Sequence, residues 1–282
     1  QRDLDDGIDT AGKKMTVCEL YAMQIRHNGN VKPNTVTGRN CLMKIISEDK
    51  IGSAAIENVK MADAKEWVLR MKENGYAFQT IKNYKRSLSA SFYTAIQNDF
   101  IRKNPFEFDI TEVIEDDTVH KEALTPKQEK AFLNFIQSSE VYNKHYEFIM
   151  ILLGTGLRVS ELCGLTLSDV DMKSRTINVN HQVLYDGDIG YYISEPKTKN
   201  GIRQIPMSET VYAAFSKALA DKPVSKYEIL YDNKVYTNFI FSKSAGKPYS
   251  CYDFTAVFTR ARKQFKRFYD IELPKSLSPH TM

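Results

Sequence analysis

The sequence predicts a mainly α-helical protein with a small antiparallel β-sheet: an all-α first domain followed by an α+β second domain. Three observations carry this. Apolar residues recur at helical spacing through residues 15–106, punctuated by capping and stop signals. Alternating, β-branched and aromatic runs begin only after residue 170. Between the two patterns lies an acidic stretch with neither period, and 282 residues exceed the usual size of one domain.

Residues 1–14 are polar, include Gly7 and Gly12, and read as an N-terminal linker remnant. The first helix follows: Thr16 is its expected N-cap, with Glu19 three residues on as capping-box partner and Leu20, Met23 and Ile25 as its apolar residues. A second helix is expected after Pro33, capped near Asn34 or Thr35 and carrying Leu42, Ile45 and Ile46. A third runs from about Ala62 to Lys72 and stops at Asn74-Gly75. The fourth spans roughly Gln79 to Asn98, with Ile81, Tyr84, Leu88, Phe92 and Ile96 on one face, until Asn104-Pro105 breaks the pattern. Residues 15–106 thus form a helical domain, and 107–122 its acidic linker to a second domain over 123–282.

In that second domain Thr125 is the expected N-cap of a helix with Pro126 at its first position and Phe132, Leu133 and Ile136 inside. An apolar helix over Tyr146–Leu153 should stop at Gly154. Strands are expected at Thr176–Asn180, Tyr191–Ser194 and, after a turn at Asn200-Gly201, Arg203–Met207, as a meander. From Ser208 to Arg267 helical periodicity returns, with loops at Lys222-Pro223 and Gly246-Lys247-Pro248.

Net charge is only +4, yet residues 15–106 hold 14 Lys/Arg against 8 Asp/Glu, flanked by acidic segments. That distribution points to an anionic partner for the first domain. Cys18, Cys41, Cys163 and Cys251 are widely spaced with no CxxC pair, which argues against a disulfide framework or zinc site and for reduced thiols. No apolar run is long enough for a membrane span and no signal peptide is evident, so a soluble, cytoplasmic protein without metal, cofactor or membrane partner is expected.

The most specific stretch is Gly154-Thr155-Gly156-Leu157-Arg158-Val159-Ser160-Glu161-Leu162, followed by Leu165 and Asp169-Val170. An apolar helix ends at glycines and a new one opens with an arginine in its first turn. A guanidinium beside free backbone N–H groups suits a phosphate, while Glu161 one turn on holds it; the same residues also describe a surface salt bridge at a helix start.

This stretch, T-G-L-R-x-S-E-L followed by L-x-x-x-D-V, resembles the first conserved box of the tyrosine recombinases, the phage-integrase family. The resemblance implies that Arg158 clamps the scissile phosphate, that Glu161 supports it, and that Asp169 is structural. Pro196-Lys197-Thr198-Lys199-Asn200-Gly201-Ile202-Arg203-Gln204-Ile205-Pro206 is similar to the family's lysine-bearing β-hairpin, whose lysine protonates the leaving 5′ oxygen. Lys197 is the first choice there; the turn is about one residue longer than usual, which keeps Lys199 open. Ser278-Pro279-His280-Thr281 resembles the start of the second box, H-x-x-R, and makes His280 the third catalytic candidate. The second arginine and the nucleophilic tyrosine of the family would follow Met282, so the chain is expected to bind DNA without cleaving it.

The first domain resembles the family's core-binding domain. Gln79, Thr80, Lys82, Asn83, Lys85 and Arg86 at the start of the long helix are its DNA-contact candidates, with Arg39, Asn40 and Lys44 as weaker ones. In the second domain, Arg260, Arg262, Lys263, Lys266 and Arg267 form a basic helix that either lines DNA or is simply solvated, with Arg260 and Lys263 foremost. The family implies cleavage and rejoining of double-stranded recombination sites through a 3′-phosphotyrosyl link, without cofactor, by a homotetramer on two DNA sites, with an excision accessory factor as a further partner. A Lys-, Asn- and Ile-rich composition points within it to integrases of conjugative transposons and temperate phages, in the bacterial cytoplasm. Two other readings stay open: an inactive DNA-binding relative or accessory factor, and a tyrosine topoisomerase on the same scaffold.

Overall fold

The computed structural model describes residues 12–27, 29, 31–120, 122–196, 198–220, 225, 227–269, 271–274 and 277–278, and for Lys13 and Lys199 the backbone alone. The chain divides into two compact units, Gln1–Val119 and His120–Met282.

Among the described residues the first unit contains four α-helices: α1 (Val17–His27), α2 (Pro33–Ser47), α3 (Met61–Glu73) and α4 (Phe78–Gln97). The cap expected for α1 is present: Thr16 N and Oγ1 donate to Glu19 Oε2 at 2.8 and 3.0 Å, and Glu19 N donates back to Thr16 Oγ1. The cap of α2 is Lys32 rather than Asn34 or Thr35, because Pro33 occupies the first helical position, where its fixed φ starts the helix and its missing N–H costs nothing. Helix α1 packs against α2 and α4, and α3 against α4. Trp67, Phe78, Phe92 and Phe106 are fully buried between them, with Phe106 lying edge-on to Trp67 at 5.8 Å between ring centres.

The segment after Phe106 is the one the sequence reads as a linker, yet its apolar residues join this core. Ile110 and Ile114 are buried and Phe108 and Val113 half-covered. Its charges meet the basic side of α3 and α4: Lys65 Nζ reaches Glu112 at 3.1 Å, Lys72 Nζ reaches Asp117 at 2.5 Å, and Lys85 Nζ donates to the Phe108 carbonyl at 2.5 Å. Acidic composition masked an apolar spacing that a lone helical or strand period does not describe.

The second unit holds α5 (Pro126–Ser138), α6 (Tyr146–Thr155), α7 (Val159–Gly164), α8 (Glu209–Ala220) and α9 (Cys251–Phe268). Thr125 and Gln128 close the capping box of α5. Helix α6 passes through Gly154 and ends at Gly156, whose φ of +63° supplies the left-handed C-cap. Gly154 has another purpose: a Cβ there would lie 2.4 Å from Val211 Cγ2, so its hydrogen lets α8 lie against α6.

Three strands in one meander were expected; the pairing is different. β1 (Val170–Asp171), β2 (Thr176–Val179) and β5 (Arg203–Pro206) form an antiparallel sheet in which β2 is central. β3 (Gln182–Asp186) and β4 (Gly190–Ser194) form their own hairpin, as do β6 (Ile229–Tyr231) and β7 (Lys234–Tyr236). The lysine-rich segment is therefore not a hairpin tip: its flanking strands β4 and β5 pair with different neighbours, and a 3-10 turn, Lys199–Gly201, lies between them. Val183, Ile193, Ile229 and Phe239 bury the two hairpins on each other. Among the described residues no helix is long and apolar enough to cross a membrane.

Candidate functional site

Arg158 stands between α6 and α7. Its backbone is extended, φ −68° and ψ 147°, which makes it the N-cap residue of α7 rather than a member of the first turn. Leu157 and Val159 on either side are buried and fix its root, while its own side chain is 62% exposed. Glu161, at the third helical position, has a side chain only 1% exposed. Its Oε2 accepts the Arg158 backbone N–H at 2.9 Å and its Oε1 accepts Arg158 Nη1 at 2.7 Å.

A second arginine, which sequence reasoning left without a role, meets the same carboxylate. Arg203 on β5 donates Nη2 to Glu161 Oε2 at 2.9 Å and Nη1 to Oε1 at 3.3 Å. Each carboxylate oxygen thus takes two donors. Burial alone would raise the Glu161 pKa; hydrogen bonds from Arg203 and from the N–H and side chain of Arg158 outweigh it and hold the carboxyl below its ordinary range. The result is an ionised, buried acid from which Arg158 projects outward, with guanidinium geometry suited to two oxygens of a phosphate. The R-x-I-P pattern around Arg203 was the available sequence signal, but only folding shows that β5 delivers this arginine to a carboxylate 42 residues away.

The surrounding contacts fix α7 to the strands. Ser160 Oγ donates to Gln182 Oε1 at 2.9 Å, and Gln182 Nε2 reaches the Glu195 carbonyl at 3.3 Å, just before the lysine segment. Asp169 is buried and accepts Thr166 N and Oγ1 at 2.8 and 2.6 Å. His181, not singled out from the sequence, is buried beside it. Its Nε2 lies 2.8 Å from the Gly164 carbonyl and 3.9 Å from Asp169 Oδ2, and its Nδ1 lies 2.5 Å from Asn180 Oδ1. Burial pulls its pKa down, against the Asp169 charge and the Gly164 carbonyl. His181 ties the start of β3 to the end of α7, a junction with no local signature.

Lys197 and His280 lie outside the described residues, as does the side chain of Lys199, whose backbone forms part of the 3-10 turn. Among the described residues no group of three or more His, Cys, Asp or Glu is placed to hold a metal ion.

The DNA-contact candidates separate on folding. Gln79, Lys82, Asn83 and Arg86 are exposed at i, i+3, i+4 and i+7 of α4 and share one face, with Gln79 Nε2 donating to Asn83 Oδ1 at 3.1 Å. Thr80 is half-buried. Lys85 points elsewhere: besides its bond to the Phe108 carbonyl it stands 4.4 Å above the Phe108 ring, and burial lowers its pKa. On α2, Asn40 and Lys44 are exposed, Lys44 lying 4.0 Å from Glu48, and Arg39 is half-buried. On α9, Arg260, Lys263 and Arg267 are exposed at i, i+3 and i+7. Lys266 pairs with Glu272 at 3.1 Å, and Arg262 Nη1 reaches the Pro274 carbonyl at 3.5 Å.

Residues 122–282 match the model of the phage integrase family. The chain belongs to that family. Over its whole length it is 48% identical to the transposase from transposon Tn916 of Enterococcus faecalis and to the transposase from transposon Tn1545 of Streptococcus pneumoniae, spanning 69% of each. The ICEBs1 integrase of Bacillus subtilis is 24% identical over 187 residues, 63% of this chain and 47% of that one. Among solved structures, the Tn1549 transposon integrase in complex with a circular intermediate DNA superposes with a TM-score of 0.90 at 52% identity, covering 95% of this chain and 84% of that one. A lambda integrase dimer bound to a core site shares the fold, with a TM-score of 0.62 at 17% identity over 95% and 86% of the two chains. These relatives favour this family member as a recombinase over the topoisomerase and accessory-factor readings.

Proposed function

We propose that this chain carries the DNA-binding surfaces and part of the strand-transfer site of a conjugative-transposon integrase, working in the bacterial cytoplasm on the double-stranded ends of its element. The observation that carries the chemistry is the exposed guanidinium of Arg158 held on a buried, ionised Glu161. Identity to transposon transposases across the whole chain supports the substrate class.

In this reading Arg158 binds the non-bridging oxygens of the scissile phosphate and stabilises the charge that grows there as phosphorus becomes five-coordinate. A tyrosine hydroxyl attacks phosphorus, the bond to the 5′ oxygen breaks, and Lys197 or Lys199 supplies the proton to that oxygen. His280 assists the attacking hydroxyl. The 5′ hydroxyl of a second strand later attacks the 3′-phosphotyrosyl link, so the bond energy is conserved and no cofactor is consumed. The first unit would contact the duplex through Gln79, Lys82, Asn83 and Arg86, and the second through Arg260 and Lys263. Synapsis would require four protomers on two DNA sites, and excision an accessory factor.

The test is cleavage of a nicked duplex carrying the element's own end by the integrase in its full length, read as covalent protein–DNA adduct. Replacing Arg158 by Ala should reduce adduct formation at least a hundredfold, in the range of losing one transition-state donor, and weaken site binding by no more than about tenfold. Unchanged cleavage in that variant, or equally efficient relaxation of plasmids lacking the site, would refute the proposal.

A further inference from the structure

Arg158 and Glu161 taken alone are a poor phosphate clamp, because an ionised carboxylate 2.7 Å from the guanidinium cancels the charge that should meet the phosphate. Two further facts change this. Glu161 is almost wholly buried, so its charge requires compensation wherever the Arg158 side chain goes. Arg203 provides it from the interior side, with a guanidinium less exposed than that of Arg158, 28% against 62%. The three side chains together carry one net positive charge, and the outward-facing group is Arg158.

The same guanidinium has a second partner. Arg203 Nη1 donates to the Gly201 carbonyl at 3.0 Å, and Gly201 closes the 3-10 turn that begins at Lys199. Strand pairing holds Arg203 itself in place, opposite Val179 on β2. One side chain on a fixed strand therefore touches both the carboxylate under Arg158 and the end of the lysine-bearing segment.

We infer that Arg203 is a positioning residue of the strand-transfer site: it keeps Glu161 satisfied while Arg158 engages phosphate, and it ties the Gly201 end of the 3-10 turn to the same carboxylate. The inference rests on the reading of Arg158 as the phosphate ligand proposed above. It makes Glu161 a shared base plate for two cations, one structural and one presented to DNA. When Arg158 leaves the carboxylate for a phosphate oxygen, Glu161 keeps both Arg203 bonds and the Arg158 backbone N–H, so no buried charge is orphaned.

The test is a binding measurement that needs no cleavage. The chain is titrated against two duplexes carrying the element's end, identical except that the scissile phosphate is native in one and a neutral methylphosphonate in the other. A charge-assisted contact should favour the native duplex by on the order of tenfold. Arg158→Ala should erase this preference. Arg203→Ala should lose most of it, although its guanidinium is turned to Glu161 and the Gly201 carbonyl. Adding Glu161→Gln to Arg203→Ala should restore most of the preference, since a neutral amide needs no inner cation; a purely packing role for Arg203 would not be rescued this way. The double variant also remains informative if Arg203→Ala alone fails to fold. A preference that survives Arg158→Ala would overturn the site proposed above. A preference lost in Arg158→Ala but intact in Arg203→Ala, or a double variant no better than the single one, would overturn this inference alone.

Discussion

His145 precedes α6 in a cage made by Tyr249 and Phe254, ring centres 5.8 and 5.6 Å away, and burial, with nearby Lys144, lowers its pKa from 6.5 to about 4. In the unfolded chain it would titrate near its ordinary value, so between those two pH values the unfolded state binds more protons than the folded one. Stability contributed by the neutral imidazole is therefore complete above about pH 6.5 and is lost as pH falls towards 4, by up to about 3 kcal/mol. Thermal melts across that window should show the decline, and His145→Phe should flatten it. A second residue-scale expectation concerns the basic candidates of α4. Replacing Lys82 or Arg86 by Ala should lower the slope of log affinity against log salt by about one if each meets a phosphate, whereas Lys85→Ala should leave it nearly unchanged. Sequence placed all three together because charge type was visible and side-chain direction was not. Lys85 faces the Phe108 carbonyl, a partner 23 residues on that no local pattern announces.

Among the elements, those with end signals were legible and those defined by distant pairing were not. Thr16 and Thr125 mark helix starts through bonds made within one turn and Pro126 through its fixed φ, and the helices begin where those residues stand. Strands β3, β6 and β7 are three to five residues long, and the partner of β2 is chosen across an intervening hairpin, so local alternation could not name it. Gly154 shows the same limit. It read as a stop signal, whereas its role is to let α8 approach α6. Gly154→Ala should destabilise the second unit by about 1–3 kcal/mol through overpacking against the fully buried Val211, despite alanine's better helix propensity. Val211→Ala in the same chain should recover part of that loss, since the new methyl would fill the space vacated. Denaturant midpoints of the two single variants and the double variant would show the coupling; strict additivity would sink this account of the helix contact.

At the scale of the whole molecule, the segment from Glu107 to Asp117 belongs energetically to the first unit. Ile110 contributes to the core that contains Trp67, the single tryptophan of the chain. Ile110→Ala should cost about 2–4 kcal/mol, seen as an earlier urea transition in tryptophan fluorescence, which reports the first unit selectively. An unshifted midpoint would mean that the segment merely rests on the surface. Of the contacts that hold Arg158 and its surroundings, only the pair within one box was readable from sequence. Arg158 and Glu161 sit three residues apart and announce each other, while Arg203 and His181 enter only through tertiary contacts. The β3–β4 hairpin leaves and re-enters the chain between β2 and β5, which are adjacent in their own sheet. Its root is bonded to α7 through Gln182 and His181, while Tyr185 and Ile189 near its far end are exposed. A lineage can therefore lengthen, trim or exchange that far end without disturbing the strand that carries Arg203, which makes it a natural place for related elements to diverge in what they touch while inheriting one unchanged chemistry.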